Sequence, residues 1–361
     1  MKLKFLGVLL LISLMADAVL AVGPFNWDAC CPPPGGLSAA WNAARVRPDG
    51  GVFNWNTTIP GAEPPTPSNA LPDGSDEARI RGSGVVVTLN SNEVWTNPGA
   101  LTNRGRMRVY GDATLNIVEG SLQNVGWLRV GESSGGVGTT NELGYVNQSG
   151  GLVTLAVSKD KGKIGIGDTT TVAGSYYAIS GGTLTYTAGS DGQLIVGARG
   201  GIGKFVVQGT APVIQLKNLY VGGDTGYNSQ GTLEYDIGAG GVSAINGLNA
   251  PSLDIGASSV ANLVLTLTAA INDPLAPIVL VKNASASAVL GIFDQLNGVI
   301  GAATEGAPVV LSFGGTNYGY KLTYLYNADS GTLANDIALI PEPATLALLS
   351  LGLIAIRRNK K

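Results

Sequence analysis

Short runs of alternating apolar and polar residues, bounded by glycines, recur along the middle of the chain. One four-residue block has an apolar first position, Val or Ile third and Gly fourth. It occurs at Leu128–Gly131, Ile164–Gly167, Leu194–Gly197 and Leu219–Gly222. β-Branched residues between glycine turns are strand signals, and the body shows no sustained helical period. The pattern therefore predicts an all-β body.

A second series of glycines gives the repeat its length. These glycines end the strand-like run after each block and are 30, 31, 28 and 29 residues apart: Gly120, Gly150, Gly181, Gly209 and Gly238. Three short strands with Gly corners in about 30 residues make one coil of a solenoid. The spacing predicts a right-handed parallel β-helix with coils ~4.8 Å apart and a cap at each end. The alternative is a β-sandwich, which predicts hairpin turns every 8–12 residues or so and no long period.

Proline divides the chain into segments. Eleven of the 18 prolines lie between residues 24 and 98, and none lies between residues 99 and 211. We expect an irregular Pro-rich N-terminal cap over 22–80, β-helix repeats over 81–245, and closing coils with a β cap over 246–340. Residues 55–80 resemble the opening of autotransporter-like passengers, and 246–340 resemble the closing segment of autotransporter-like β-helices.

The first 21 residues are typical of a secretory signal peptide. Lys2 and Lys4 precede the apolar run Leu6–Leu14, and small residues follow at cleavage-site spacing. The run is short for a hydrocarbon layer ~30 Å thick. Cleavage after Ala21 is favoured, and cleavage after Ala18 fits as well. The N-terminus therefore predicts export, and a short hydrophobic helix is expected there.

Residues 341–361 combine Pro341-Glu342-Pro343, the apolar run Leu346–Ile356 and a basic end that includes Arg357 and Arg358. A basic cluster after an apolar segment stays on the cytoplasmic side of a membrane. In these three elements and their order, the tail resembles a PEP-CTERM sorting signal of Gram-negative or planctomycete-like cells. That signal is also classed as an ice-binding protein C-terminal domain.

The resemblance implies a transmembrane helix in the tail that anchors the chain transiently in the inner membrane. It also implies a partner, exosortase, a membrane-embedded cysteine transpeptidase that recognises the tail near Pro341-Glu342-Pro343. Arg357 and Arg358 complete this sorting site. The body is then released towards the cell surface or an extracellular exopolysaccharide matrix, where surface glycans are the expected partners.

Composition limits the chemistry. The 361 residues include no His, which excludes Ser-His-Asp and Cys-His catalysis and His-ligated zinc. The two cysteines, Cys30 and Cys31, are adjacent and cannot close an intrachain loop. The net charge of -3 argues against nucleic acid as a partner. We expect no enzyme activity and no cofactor.

An acidic corner follows the repeated block in three coils, at Glu132, Asp168 and Asp224. In register, these carboxylates offer the hard oxygen ligands that Ca²⁺ prefers. The favoured interpretation is that they bond to the amides of their own turns, so they remain weak metal candidates. As corner residues they are expected to be hydrated, with ordinary pKa values.

Two other functions use the same fold. A β-helix polysaccharide lyase or hydrolase needs clustered charges, for which the chain offers Asp160, Lys161, Lys163 and Asp191. Ice binding needs a flat Thr-x-Thr array, which only 183–187 supplies. Aromatic residues that suit sugar stacking, or packing on a strand face, are Trp127, Tyr176, Tyr177, Tyr220 and Tyr227. The favoured function is a non-catalytic structural or adhesive surface protein.

Overall fold

The computed structural model describes residues 45–46, 52–53, 78–81, 86–90, 94–96, 105–133, 141–157, 160–223, 227–248, 252–253, 259–285, 287–328 and 335–342. The predicted signal peptide and the apolar and basic parts of the sorting tail lie outside these residues. The short terminal helices expected there lie outside them as well.

The described secondary structure consists of strands and one 3₁₀ turn at Ala198–Gly200. In chain order the strands are β1 (Arg45–Val46), β2 (Val52–Phe53), β3 (Ala78–Arg81), β4 (Val86–Leu89), β5 (Val94–Thr96), β6 (Arg106–Tyr110), β7 (Ala113–Ile117), β8 (Ser121–Val125), β9 (Trp127–Ser133), β10 (Asn141–Glu142), β11 (Gly144–Leu155), β12 (Lys163–Asp168), β13 (Tyr176–Tyr186), β14 (Gln193–Val196), β15 (Ile202–Gln208), β16 (Val213–Gln215), β17 (Asn218–Val221), β18 (Gln230–Ile237), β19 (Ile245–Leu248), β20 (Ser252–Leu253), β21 (Val260–Leu267), β22 (Ile278–Asn283), β23 (Gln295–Leu296), β24 (Val299–Ile300), β25 (Pro308–Phe313), β26 (Thr316–Tyr326) and β27 (Asp336–Pro341).

The chain divides into two compact units, Met1–Asn54 and Trp55–Lys361. In the first unit, β1 and β2 form an antiparallel pair. The second unit contains stacked coils in which three strands follow one another around each turn. The predicted all-β solenoid is therefore confirmed.

The first face of the solenoid, face A, carries the repeated block. Its parallel strands are, in order, β3, β6, β9, β12, β14, β17 and β20, which makes six turns from first to last. The register places Leu128 beside Ile164, Ile164 beside Leu194, and Leu194 beside Leu219. These residues are at most 1% exposed. The four blocks thus form one continuous row of the core, as the sequence predicts.

Faces B and C complete each coil. Face B stacks β4, β7, the first half of β11 and of β13, β15, β18, β21 and β23. Face C stacks β5, β8, the second half of β11 and of β13, β16, β19 and β22. Alternate side chains point inwards, and the Tyr177 and Phe205 rings pack against each other in the core at a tilt, with centroids 5.6 Å apart.

The glycines of the second series lie at the corner between faces B and C. One register row on face B runs through Ile117, Gln148, Ile179, Val207 and Tyr235. Each of the five glycines follows its own member of that row by two or three residues. The spacing of about 30 residues therefore reflects one bend that is repeated in successive coils.

Antiparallel pairing closes the C-terminal end. The hairpin β25–β26 continues into β27, which pairs with β26 on one side and with β22 on the other. β27 is consequently an interior strand of this cap, and Ile337, Ala338 and Leu339 are fully buried.

Candidate functional site

The sorting motif begins inside the folded cap. Pro341 is the last residue of β27 and lies opposite Tyr320 of β26. The Glu342 backbone N–H donates a hydrogen bond to the Gly319 carbonyl oxygen at 3.1 Å. Pro341 is half-buried and Glu342 is exposed. Pro343, Arg357 and Arg358 lie outside the described residues.

Hydrogen bonds also attach the start of β27 to the rest of the body. The Asp336 carboxylate accepts hydrogen bonds from the backbone N–H groups of Asn283, at 2.8 Å, and Ala328, at 2.7 Å. The three residues from Ile337 to Leu339 lie between these contacts and Pro341, and all three are buried. The motif is therefore attached to the body without a linker.

The acidic corner on face A is the second candidate site. The register pairs Asp168 directly with Glu132, as the sequence predicts for stacked coils. Both residues are buried: Glu132 is 6% exposed and Asp168 is 0% exposed. Asp224, the third acidic corner residue, lies outside the described residues.

Arginines surround both carboxylates. Arg129 forms ion pairs with Glu132 and, at 3.3 Å, with Asp168. Arg108, one coil earlier, contacts Glu132 at 3.0 Å, and Arg199, one coil later, contacts Asp168. These five residues, here called the ionic network, link four successive coils. Within the described part of the chain, no group of three or more acidic or sulfur side chains is placed to hold a metal ion.

Trp127 lies in the same cluster and is 9% exposed. The Arg129 guanidinium carbon is 3.8 Å from the centroid of its ring, and those of Arg106 and Arg199 are 5.3 and 5.1 Å away. A cation within about 6 Å of an indole face is attracted by the ring quadrupole. Trp127 therefore packs with the ionic network, where a sugar ring has no access to its stacked face.

Burial dominates the protonation behaviour of the ionic network. It raises the pKa of Glu132 above its ordinary value, although Arg129 and Arg108 oppose the shift. It lowers the pKa of Arg129, against the attraction of Asp168 and Glu132. For Arg199, burial acts to lower the pKa, but the charge of Asp168 and the hydrogen bond to it raise the pKa overall.

The prediction that the corner carboxylates are hydrated is wrong for Glu132 and Asp168, which are both buried, and the prediction of an ordinary pKa is wrong for Glu132. The reason is that arginines enclose the two carboxylates: Glu132 pairs with Arg129 of its own coil and Arg108 of the preceding coil, and Asp168 pairs with Arg129 and Arg199. Sequence reasoning missed Arg108, Arg129 and Arg199 as partners. A signal was present, because Arg108 and Arg129 occupy the same position of the repeated block and lie side by side in the register.

The charged residues considered for a catalytic cluster are placed as follows. Asp160 forms an ion pair with Arg106 at 2.6 Å, and the Asp191 carboxylate accepts a 3.4 Å hydrogen bond from Gln193. Lys163 Nζ lies 5.2 Å from the Trp127 ring centroid. Lys161 occupies a turn with φ of 67°.

The tyrosines considered for sugar stacking divide between core and surface. Tyr177 is fully buried, and its hydroxyl donates to Gln148 Oε1 at 2.6 Å. Tyr176 packs at a tilt against Tyr145 of the preceding coil, with ring centroids 5.2 Å apart. Tyr220 is half-buried, and Tyr227 is 42% exposed. Packing between coils accounts for Tyr176 and Tyr177.

Comparison with known proteins identifies the C-terminal residues. Residues 339–361 match the PEP-CTERM protein-sorting motif. Among curated proteins and among solved structures, the comparisons find no match to the chain. Of the helical segments in the described residues, none has the length and apolar character needed to cross a membrane. The chain is therefore an exported β-solenoid protein that carries a PEP-CTERM protein-sorting motif, the substrate signal for exosortase-type processing and delivery to the cell surface.

Proposed function

We propose that the protein is a non-catalytic structural or adhesive component of the cell surface or of an extracellular exopolysaccharide matrix. The observation that carries the proposal is the direct junction between the sorting motif and the solenoid cap, at Pro341 and Glu342. A sorted chain whose folded part is a stack of coils supplies broad sheet faces for contact with a matrix. Surface glycans are the partners that such a location offers.

The chemistry of the described residues supports a role without catalysis. Acid-base work near neutral pH needs a group with a shifted pKa that also reaches a substrate. Glu132 has a raised pKa, but its carboxylate is buried and contacts Arg108 and Arg129. Asp168 is equally enclosed by Arg129 and Arg199. The chain has no His to act in their place.

The C-terminal tail has the features of a temporary membrane anchor. The apolar run Leu346–Ile356, followed by Arg357 and Arg358, suits a temporary anchor in the inner membrane. An exosortase-type transpeptidase then separates the body from this anchor. Export through the N-terminal signal and release at the C-terminal motif would together bring the solenoid to the outer surface.

Replacing Pro341-Glu342-Pro343 with three alanines should leave the protein in the inner-membrane fraction. A second variant, lacking the residues from Arg357 onwards, should be mislocalised because the cationic stop is lost. Cell fractionation with immunodetection of the body measures both. Lys204→Ala, in a partly exposed ion pair far from the motif in sequence, is the matched control and should be delivered normally. Normal surface delivery of both tail variants would contradict the sorting role.

The exported protein should release no product from pectin, alginate or related acidic polysaccharides, with or without added Ca²⁺. The measurement is product release from each polymer by the purified protein, with a known polysaccharide lyase as positive control. Robust turnover that disappears in Asp168→Asn, with the circular dichroism spectrum unchanged, would identify the acidic corner as catalytic. That result would favour a polysaccharide lyase or hydrolase over the proposed structural role.

A further inference from the structure

Exposed apolar side chains are concentrated at the C-terminal end of the solenoid. Among the described residues, fourteen large hydrophobic side chains are exposed, and nine of them lie between residues 275 and 340. The most exposed is Ile300, at 80%. Exposed apolar surface that is clustered in this way marks a site of contact with another molecule or with a membrane. This end of the solenoid therefore has the character of an interaction surface.

The outward side of the cap sheet carries part of this apolar surface and also the point where the chain leaves the fold. The register places Val310 opposite Gly319 and Lys321 opposite Ile340. Gly319 and Lys321 are two residues apart on β26, so both rows face the same side of the sheet. The Glu342 N–H, bonded to the Gly319 carbonyl, extends the first row. All five residues are exposed.

Strand β24 adds a second apolar element at the same end. Val299 is 59% exposed and Ile300 is 80% exposed. Successive side chains of a strand point to opposite sides, so β24 is clear of the core on both sides. Its partner β23 is the last strand of face B. The Tyr324 hydroxyl of β26 joins this hairpin to the cap, since it donates to the Ala303 carbonyl at 2.7 Å and accepts from the Phe293 N–H at 3.1 Å.

This end of the solenoid exposes little charge. The charged residues described between positions 287 and 342 are Asp294, Glu305, Lys321, Asp336 and Glu342. Asp294 and Glu305 each accept a 2.7 Å hydrogen bond from a backbone N–H, and Asp336 is buried. Lys321 is exposed between the apolar residues of the cap. Apolar side chains with a neighbouring lysine suit a bilayer surface that contains anionic headgroups.

We propose that this end of the solenoid rests on the lipid surface of the inner membrane while the tail anchors the chain. The contacting residues, here called the terminal surface, are Val299, Ile300, Val310, Lys321 and Ile340. The inference rests on the proposed membrane anchoring of the tail. It adds an interaction surface on the folded body, in residues that precede the Pro-Glu-Pro motif.

The short connection between the fold and the apolar run identifies lipid as the partner. Leu346 follows Glu342 by four residues, which span at most roughly 14 Å when extended. The headgroup layer on one side of a bilayer is about 5–8 Å thick. Once Leu346 enters the hydrocarbon, Glu342 therefore lies at the membrane surface. Val310, two strands away at ~10 Å, is then within reach of the headgroups, where insertion of apolar side chains is favourable.

The test measures whether the terminal surface enters lipid in the anchored protein. Cys30→Ser and Cys31→Ser remove the native thiols, and Ile300→Cys or Val310→Cys then carries a nitroxide spin label. The tail-bearing protein is reconstituted into vesicles of phosphatidylethanolamine and phosphatidylglycerol. Electron paramagnetic resonance measures collisions of the label with oxygen, which concentrates in lipid, and with a water-soluble nickel complex.

Val86→Cys is the matched control. Val86 is also exposed, at 43%, but it lies on β4, the first strand of face B. Seven strand spacings, roughly 34 Å, separate β4 from β23. We expect the ratio of oxygen to nickel collisions to be several-fold higher at positions 300 and 310 than at position 86. Because all three side chains are exposed, the substitutions should leave the fold intact.

Three other results would contradict the inference in different ways. Equal ratios at the three positions in vesicle-bound protein would overturn the terminal surface while leaving the tail anchor intact. Fewer collisions with both reagents at position 300 would show that protein, such as a second copy of the chain, covers this surface in place of lipid. A tail-bearing protein that does not float with the vesicles would overturn the proposed anchoring, and the inference with it.

Discussion

Replacing Arg129 with methionine should lower the free energy of unfolding by about 3–5 kcal/mol, the usual loss when one partner of a buried ion pair is removed. Asp168 is fully buried and would lose one of the two arginines that pair with it among the described residues, keeping Arg199. Glu132 would lose the nearer of its arginines, and Trp127 would lose the guanidinium stacked on its ring. Methionine retains most of the side-chain volume, so the loss reports charge more than packing. Urea unfolding followed by circular dichroism measures it.

The partly exposed pair between Lys204 and Glu234 is the matched control. Its atoms are 3.0 Å apart, but the side chains are 41% and 20% exposed. Such a pair contributes about 0–1 kcal/mol, so Lys204→Met should change stability little. A second test adds Asp168→Leu to Arg129→Met, which removes both charges and should restore part of the stability. Equal losses in Arg129→Met and Lys204→Met would show that the ionic network does not stabilise the coils.

The sequence pattern was sufficient to predict the solenoid because its core consists of repeated rows. Leu128, Ile164, Leu194 and Leu219 occupy equivalent places in successive coils, so each carries the same requirement for an apolar side chain. Local pattern and global fold therefore agree, which is the condition under which a sequence specifies one structure. The row extends to Met107 and Ala78, where the fourth position of the block is not glycine.

The ionic network was not predictable in the same way. Its members are separated by up to 91 positions, from Arg108 to Arg199, and only the register of four coils brings them together. The repeat was sufficient to predict that Glu132 and Asp168 lie next to each other. Their burial could not be predicted, because it depends on arginines that belong to other coils. In the fourth coil the corresponding corner carries Ala198-Arg199 in place of an acidic residue. The structure shows that Arg199 pairs with Asp168 of the preceding coil.

The cap marks a second limit of sequence reasoning. Its strands lack the repeat, and antiparallel pairing between β22 and β27 joins segments more than 50 residues apart. The Pro-Glu-Pro motif could be recognised from the sequence because its three residues are consecutive. The pairing of the motif with β26 could not be predicted, because proline usually lies outside the paired part of a strand. Here Pro341 is still in register with Tyr320.

Gly151→Ala should be among the most destabilising single substitutions in the solenoid. Gly151 has φ of +65°, and a Cβ added there would lie 2.1 Å from the Gly120 carbonyl oxygen of the preceding coil. Adopting a left-handed conformation costs a non-glycine residue about 1–2 kcal/mol. The contact with rigid backbone adds about 1–3 kcal/mol of overpacking. We therefore expect a total loss of about 2–5 kcal/mol in urea unfolding.

Gly209→Ala separates the two causes. Gly209 lies at the same corner two coils later and has nearly the same φ, +64°, but no atom lies within 4 Å of its added Cβ. This variant should lose only the conformational cost of about 1–2 kcal/mol. The difference between the two variants then measures how closely adjacent coils approach at the corner between faces B and C. If both variants lose the same amount, backbone conformation alone requires glycine there, and the close packing of coils contributes nothing.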